Sequence, residues 1–252
     1  MIKGLYSAFT AMEAAWQYQD VLANNIANAN TAGFKREVGA IESFQDVLLS
    51  QHAPVPAPIS ARIEAVIGQI GTGAFVSEFV TDYTPGTLQQ TGQAFDIALD
   101  EGFFAVEDEN GEVFYTRDGR FGRDAAGDLV TSHGLYVLAD DGSHINLPAG
   151  AITVDLDGVI RSGETETATL QVVDFSPVDL VRAGESYFQS NGPATPIGGG
   201  VRQGYLEASN TDLVEELTTL LAVQRTYQAN QTVLSTMDDT MNQAAGQLGT
   251  FQ

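Results

Sequence analysis

The chain of 252 residues has no cysteine. Disulfides and thiolate metal sites are therefore excluded. Compartment stays open, because a cysteine-free chain can sit on either side of a membrane. Positive charge is scarce: 11 Lys and Arg stand against 33 Asp and Glu, a formal net charge of -22. Nucleic-acid backbones demand clustered cations, so that class of partner is disfavoured. Anionic membrane surfaces are disfavoured for the same reason. A monomer so charged repels its own kind, and any assembly must bury enough surface, or be screened enough by salt, to offset this. No apolar run approaches a membrane span. The opening MIKGLYSAFTAMEAAWQYQDVLANN lacks the continuous apolar core of a signal peptide, with Glu13 interrupting it. That leaves two readings, residence in the cytoplasm or export by a route without a cleaved signal. Proline is missing before Pro54 and after Pro196, so both ends are free to be helical.

Both ends carry helical periodicity. In residues 1–28, Leu5, Phe9, Met12, Trp16, Gln19, Ala23 and Ile26 alternate spacings of four and three. This is a heptad seam with one polar exception, Gln19, widened by Ala8, Ala11 and Ala15. Asn28, Asn30 and Gly33 accept the left-handed backbone that ends helices. Residues 210–248 repeat the pattern through Leu213, Leu217, Leu220, Gln224, Tyr227, Gln231, Leu234, Asp238, Met241, Ala245 and Leu248. Three polar seam positions suit a helix packed among several neighbours better than an isolated coiled coil. Asn210 or Thr211 can cap this helix, and Glu215 and Glu216 fall where its dipole favours acid.

Between them the pattern changes. Phe34, Val38, Ile41, Phe44, Val47 and Leu48 give residues 35–51 an apolar set that fits a short helix or an extended arm. Pro54, Pro56 and Pro58 at alternate positions mark a stiff extended linker. From 71 to 208, seven or so short strands are punctuated by Asn110-Gly111, Asp118-Gly119 and Asp141-Gly142, which are turn dipeptides. The fold class expected is α+β, with long N- and C-terminal helices packed together and a central, mainly antiparallel β domain. The boundaries are 1–33 for the N-terminal helical core segment, 34–70 for the arm and proline-rich linker, 71–208 for the central β domain and 209–252 for the C-terminal helical core segment.

Chemistry is thinly represented. His52, His133 and His144 are too far apart in sequence for a metal-ligand spacing. The acidic loops EDENG (107–111) and DLDG (155–158) are only fragments of a calcium loop. The run Gly198, Gly199, Gly200 lacks a following Lys-Ser or Lys-Thr, and no serine sits in a nucleophile elbow. Arg117, Arg120 and Arg123 are interleaved with Asp118 and Asp124, which points to an ion-paired turn rather than a phosphate site. No catalytic residue, cofactor site or metal site is assigned.

Three ordered blocks carry a resemblance. ANNIANANTAGFKR holds Asn24, Asn25, Asn28, Thr31, Gly33, Phe34 and Lys35. FDIALDEGFFAV (95–106) is followed by YTRDGRFGRDAAGDLVTSHG (115–134). GYLEASNTDLVEELTTLLAVQRTYQANQTVLSTMDDTM (204–241) holds Asn210, Gln224, Arg225, Tyr227 and Asn230. Together they cover about a third of the chain and resemble the bacterial flagellar rod and hook protein family, its distal rod branch above all. The resemblance implies a structural subunit whose terminal segments line the inner core of a helical tube, with the β domain outside. It implies no enzyme activity, and it implies export through the flagellar machinery to the periplasmic rod. Its partners would be further copies of itself, other rod proteins, the hook protein and the surrounding ring bushing. The chain departs from the family in its proline arm and in the acids Asp238 and Asp239. Its length is short for a hook protein, and proximal against distal rod stays open. The assembly contacts expected are Leu5, Phe9, Met12, Trp16, Ile26, Leu213, Leu217, Leu220, Tyr227, Leu234 and Met241. The alternatives from other classes are a soluble binding module on a helical stalk and a wall-degrading hydrolase.

Overall fold

The computed structural model describes residues 2–44, 47–51, 65–184 and 186–249. The proline linker and His52 lie outside them. The chain divides into two compact units, one of residues 1–24, 38–80 and 214–252, the other of residues 25–37 and 81–213.

The first unit is built on the terminal helices, α1 (Ile2–Ala27) and α2 (Leu213–Gly249). They meet where Gly4, lacking a side chain, admits Met237; a Cβ at Gly4 would lie 2.8 Å from Met237 Cε. The buried face of α1 is made of Ala8, Ala14, Ala15, Val21 and Leu22, beside the expected seam, whose Phe9, Trp16 and Ala23 are exposed. Within the expected arm, the described stretches 37–43 and 47–51 are extended, not helical. Strand Glu37–Ser43 pairs with Ala74–Thr81, and Val47–Gln51 pairs antiparallel with Ala65–Ile70. The β-branched and aromatic content of this segment (Val38, Ile41, Phe44) favours the strand. Thr10 of α1 accepts a hydrogen bond from the Ala74 N–H at 3.4 Å, and Phe44 stacks on Phe75 with ring centroids 4.9 Å apart.

The face that α2 half-buries is Leu220, Val223, Tyr227, Asn230, Leu234, Met237 and Met241. This corrects the expected seam. Leu220, Tyr227, Leu234 and Met241 belong to it, but Gln224, Gln231 and Asp238 are exposed, and Val223, Asn230 and Met237 take their places one residue earlier. A heptad pattern fixes the period, while side-chain chemistry decides which neighbouring stripe is covered. Along α2 the hydroxyls of Thr226, Thr232, Thr236 and Thr240 turn back onto the carbonyls four residues earlier, at 2.8 to 3.1 Å. Asp212, not Asn210 or Thr211, stands immediately before the first helical residue.

The second unit is antiparallel β throughout its paired strands. Its largest sheet runs Leu180–Arg182, Tyr187–Ser190, Val113–Thr116, Phe103–Glu107, Tyr136–Val137, Leu129–Thr131, Phe121–Arg123, with Val172–Asp174 also on Phe103–Glu107 and Thr195–Pro196 beyond it. A three-stranded sheet of Ile152–Val154, Val159–Ser162 and Thr165–Thr169 adds to it, as do the pairs Ile97–Leu99 with Val201–Gln203 and Leu88–Gln90 with Tyr205–Glu207. The strands outnumber the seven expected because many are only two to four residues long. Ile97, Phe104, Val106, Leu129, Ile145 and Ile160 lead the main core, and Phe103, Phe175 and Phe188 lead a second. Gly111 and Gly142 take positive φ in their turns, as expected. Asp118-Gly119 does not turn. Gly119 is packed so closely that a Cβ would fall 1.6 Å from the Ile97 carbonyl oxygen, so it is a close-approach glycine.

Candidate assembly site

The N-terminal motif and the LEASN motif converge in the second unit. Asn25, fully buried in the last turn of α1, offers its side-chain amide to the Glu37 backbone; its Nδ2 donates to Glu37 O at 2.8 Å, and its Oδ1 accepts from Glu37 N at 3.0 Å. One amide thus replaces a neighbouring strand. Asn28 follows the helix without a positive φ: its carbonyl accepts from Thr31 N at 3.0 Å and its Oδ1 from Thr31 Oγ1 at 3.1 Å. Among the described residues positive φ is confined to glycine, which corrects the left-handed role expected of Asn28 and Asn30.

Gly33 does adopt it, at φ 67°. Its N–H donates to Glu207 O at 2.8 Å, and a Cβ there would lie 2.2 to 2.4 Å from the backbone of Arg117 and Asp118. Phe34 follows, fully buried, with the Arg182 guanidinium 4.7 Å above its ring. Arg182 also donates to Lys35 O at 2.7 Å and pairs with Glu37 at 3.3 Å.

Lys35 and Glu207 are both 1% exposed and pair at 2.6 Å. The second carboxylate oxygen of Glu207 takes Arg117 Nη1 at 3.1 Å, and the first also accepts from Gly86 N at 2.8 Å. Lys35 Nζ donates further to Thr84 O at 2.8 Å. Desolvation pushes the Lys35 amine below its usual value, against the pull of the Glu207 carboxylate. Asn210 completes the set. Its Oδ1 accepts from Arg36 N at 2.9 Å and its Nδ2 donates to Asp82 O at 2.8 Å. Burial works against the Asp82 charge, but hydrogen bonds from Thr84 and Arg36 outweigh it and hold the carboxyl below its usual range. This set of bonds joins the end of α1, the β unit and the strand that leads into α2.

Sequence reasoning found Asn25, Asn28, Thr31, Gly33, Phe34, Lys35 and Asn210 of this joint. It missed Arg117, Arg182 and Glu207. The expected ion-paired turn holds only for Arg120, bonded to Asp118 at 2.8 Å; Arg117 pairs with Glu207, and Arg123 binds the Pro148 carbonyl. Glu207 is one of 33 acids, and its one distinguishing signal is its place inside LEASN. Asn24, Gln224 and Arg225 are exposed, and Tyr227 and Asn230 lie on the half-buried face of α2; none belongs to the joint.

The expected assembly contacts fall into two groups. Leu5, Met12, Ile26, Leu220, Tyr227, Leu234 and Met241 are half-buried, while Phe9, Trp16, Leu213 and Leu217 are exposed. Phe9 is 56% and Trp16 57% accessible, and Tyr6 at 55% extends their stripe. On α2, Val214 and Leu221 extend the exposed aliphatic set.

Little else offers chemistry. Among the described residues no group of three or more His, Asp or Glu is placed to hold a metal ion, and no helix is long and apolar enough to cross a membrane. Asp108 in EDENG spends Oδ1 on the N–H groups of Asn110 and Glu112, and Asp155 in DLDG pairs with Arg161 at 2.8 Å. Both loops are turns with internally used carboxylates.

Comparison with known proteins matches this layout segment by segment. A family described as flagella basal body rod protein matches residues 5–35, the flagellar hook protein FlgE/F/G D1 domain matches 100–162, and the flagellar basal body rod FlgEFG protein C-terminal matches 202–247. The chain is 34% identical to the flagellar basal-body rod protein FlgG of Agrobacterium fabrum, covering 94% of this chain and 96% of that protein. Identity to FlgG of Bacillus subtilis is 31%, over 96% and 98%. Identity to the flagellar basal-body rod protein FlgF of Caulobacter vibrioides is 33%, over 95% and 94%. The matched ends are α1 with its joint and α2 with the strand before it, and on these grounds the chain belongs to the flagellar basal-body rod protein family.

Proposed function

We propose that this chain is a distal rod subunit that assembles with copies of itself into the helical shaft carrying torque to the hook. Other rod proteins, the hook protein and a surrounding ring would be its neighbours, and the flagellar export machinery its route to the periplasmic space. The observation that carries the reading is the uncovered aromatic stripe Tyr6, Phe9 and Trp16 on α1. A chain with net charge -22 gains solubility from its acids, yet leaves three large rings in water. Covering their exposed halves would remove roughly 300 Å² of apolar surface, about 7 kcal/mol gross for each copy before ordering costs. Heterologous contacts that do not close on themselves extend into a helix, as a shaft requires.

The test is electron microscopy of the purified chain over concentration and salt, beside a Phe9→Ser, Trp16→Ser variant. Both side chains are exposed, so the variant keeps its monomer fold. Rods from the parent alone support the reading; equal behaviour of the two removes it. The likeness to a FlgF protein favours a proximal-rod reading as second. Rescue of cells lacking the proximal subunit, but not of cells lacking the distal one, would establish that instead.

A further inference from the structure

Charge on the exposed helix faces is distributed unevenly. Arg225 is the only cation on α2, and no acid lies within four residues of it in the sequence. It is exposed and forms no ion pair with the described residues. At about 100° per residue, Val214, Leu217, Leu221 and Arg225 share one stripe, opposite the half-buried face. The exposed stripe of α1 is Tyr6, Phe9, Glu13, Trp16 and Asp20, aromatic rings interrupted by two acids. Glu13 has no cation within four residues and no ion pair with the described residues. One chain therefore carries an aliphatic stripe ending in a lone cation and an aromatic stripe holding lone acids.

Resting on the self-assembly reading, we propose that the α1 stripe of one copy docks on the α2 stripe of another, with Glu13 paired to Arg225 and Trp16 seated on Leu221. Direction follows from the hairpin. Gly4, near the start of α1, meets Met237, twenty-four residues into α2, while the last turn of α1 and the lead into α2 are both held in the joint through Asn25 and Asn210. The helices of one copy run antiparallel. Copies that share one axis along their helices must then also set α1 against a neighbour's α2 antiparallel. In that direction Glu13 opposite Arg225 brings Trp16, three residues on, level with Leu221, four residues back; the two steps differ by about 1.5 Å. The ion pair sets the register, because a like charge in its place is penalised heavily once the rings exclude water.

The absence of cysteine makes the test direct. Chains bearing only Glu13→Cys are mixed with chains of distinguishable mass bearing only Arg225→Cys, assembled and oxidised. The mixed disulfide between copies should form in preference to that between Asp20→Cys and Arg225→Cys chains. In parallel, Arg225→Glu should raise the concentration needed for assembly at least about tenfold, and adding Glu13→Arg to the same chain should restore it. Circular dichroism of each monomer checks that these exposed changes leave the fold intact. Assembly of the parent without the Glu13–Arg225 cross-link, or without rescue by the charge swap, overturns this pairing and leaves the assembly reading standing. A preferred Asp20–Arg225 cross-link overturns the register. A parent that never assembles overturns both.

Discussion

Removing the carboxylate of Glu207 while keeping its shape tests the joint most directly. Glu207→Gln leaves Lys35 and Arg117 buried with no anion between them, and it turns an amide N–H₂ toward one of the two cations. Breaking a buried ion pair from one side costs about 3–5 kcal/mol, because the stranded charge has no water to turn to. Thr84 O and Leu99 O remain as acceptors for Lys35 and Arg117, which favours the lower end of that range. For a unit of this size, roughly 3 kcal/mol lowers Tm by about 6–12 °C. The readout weights the two units differently. Five of the eight tyrosines, Tyr83, Tyr115, Tyr136, Tyr187 and Tyr205, lie in the β unit, and Trp16, the chain's only tryptophan, lies in the helical one. Near-ultraviolet circular dichroism of the tyrosines should show the loss, while Trp16 fluorescence follows the helical unit independently. Adding Lys35→Met removes one stranded cation and should recover part of the deficit. A Glu207→Gln chain whose tyrosine transition stays within about 2 °C of the parent, or a double variant whose losses simply add, would refute the view that this triad holds the joint.

Three further outcomes follow from the same geometry. Gly33→Ala must place a methyl within 2.4 Å of backbone at a positive φ; left-handed strain alone costs about 1–2 kcal/mol. With the clash added, the urea midpoint of the β unit should fall further than for Glu207→Gln. Asp82 is held below its usual carboxyl range, so its contribution to stability is present above about pH 4 and is lost as pH falls through the lower folded value. Asp82→Asn should therefore flatten the acid limb of stability against pH, measured by urea unfolding at successive pH values. Gly4→Ala meets only the mobile end of Met237, and alanine favours helix over glycine by up to about 1 kcal/mol. Unfolding followed by Trp16 fluorescence should show no loss of stability.

Much of the helical unit was legible because periodicity and the missing prolines act locally. The stripe of α2 was legible too, but a strict heptad from Leu213 misses it: continued past Leu220 it lands on Gln224 and Asp238, which are exposed, while the apolar Val223 and Met237 one residue earlier are the ones covered. The joint was half legible. Gly33 and the asparagines announce special backbone and local hydrogen bonding, chemistry that few other residues can perform. Glu207 and Arg117 announce nothing, since their role is created by burial, and burial arises from strands far apart in the chain. Asp118-Gly119 misled for a related reason: glycine serves turns and close approaches alike, and only the neighbouring Ile97 carbonyl decides between them.

The threonine hydroxyls that fold back along α2 have a consequence for how readily that helix surface can be dried. A hydroxyl already donating to its own helix has given up little to water, so a neighbouring molecule that covers it strands no donor. The four threonines are exposed, yet covering them costs no hydroxyl donor. A stretch that reads as polar in the sequence offers a surface on which another helix can settle at several axial offsets with nearly equal ease, leaving the few charged side chains to choose among them.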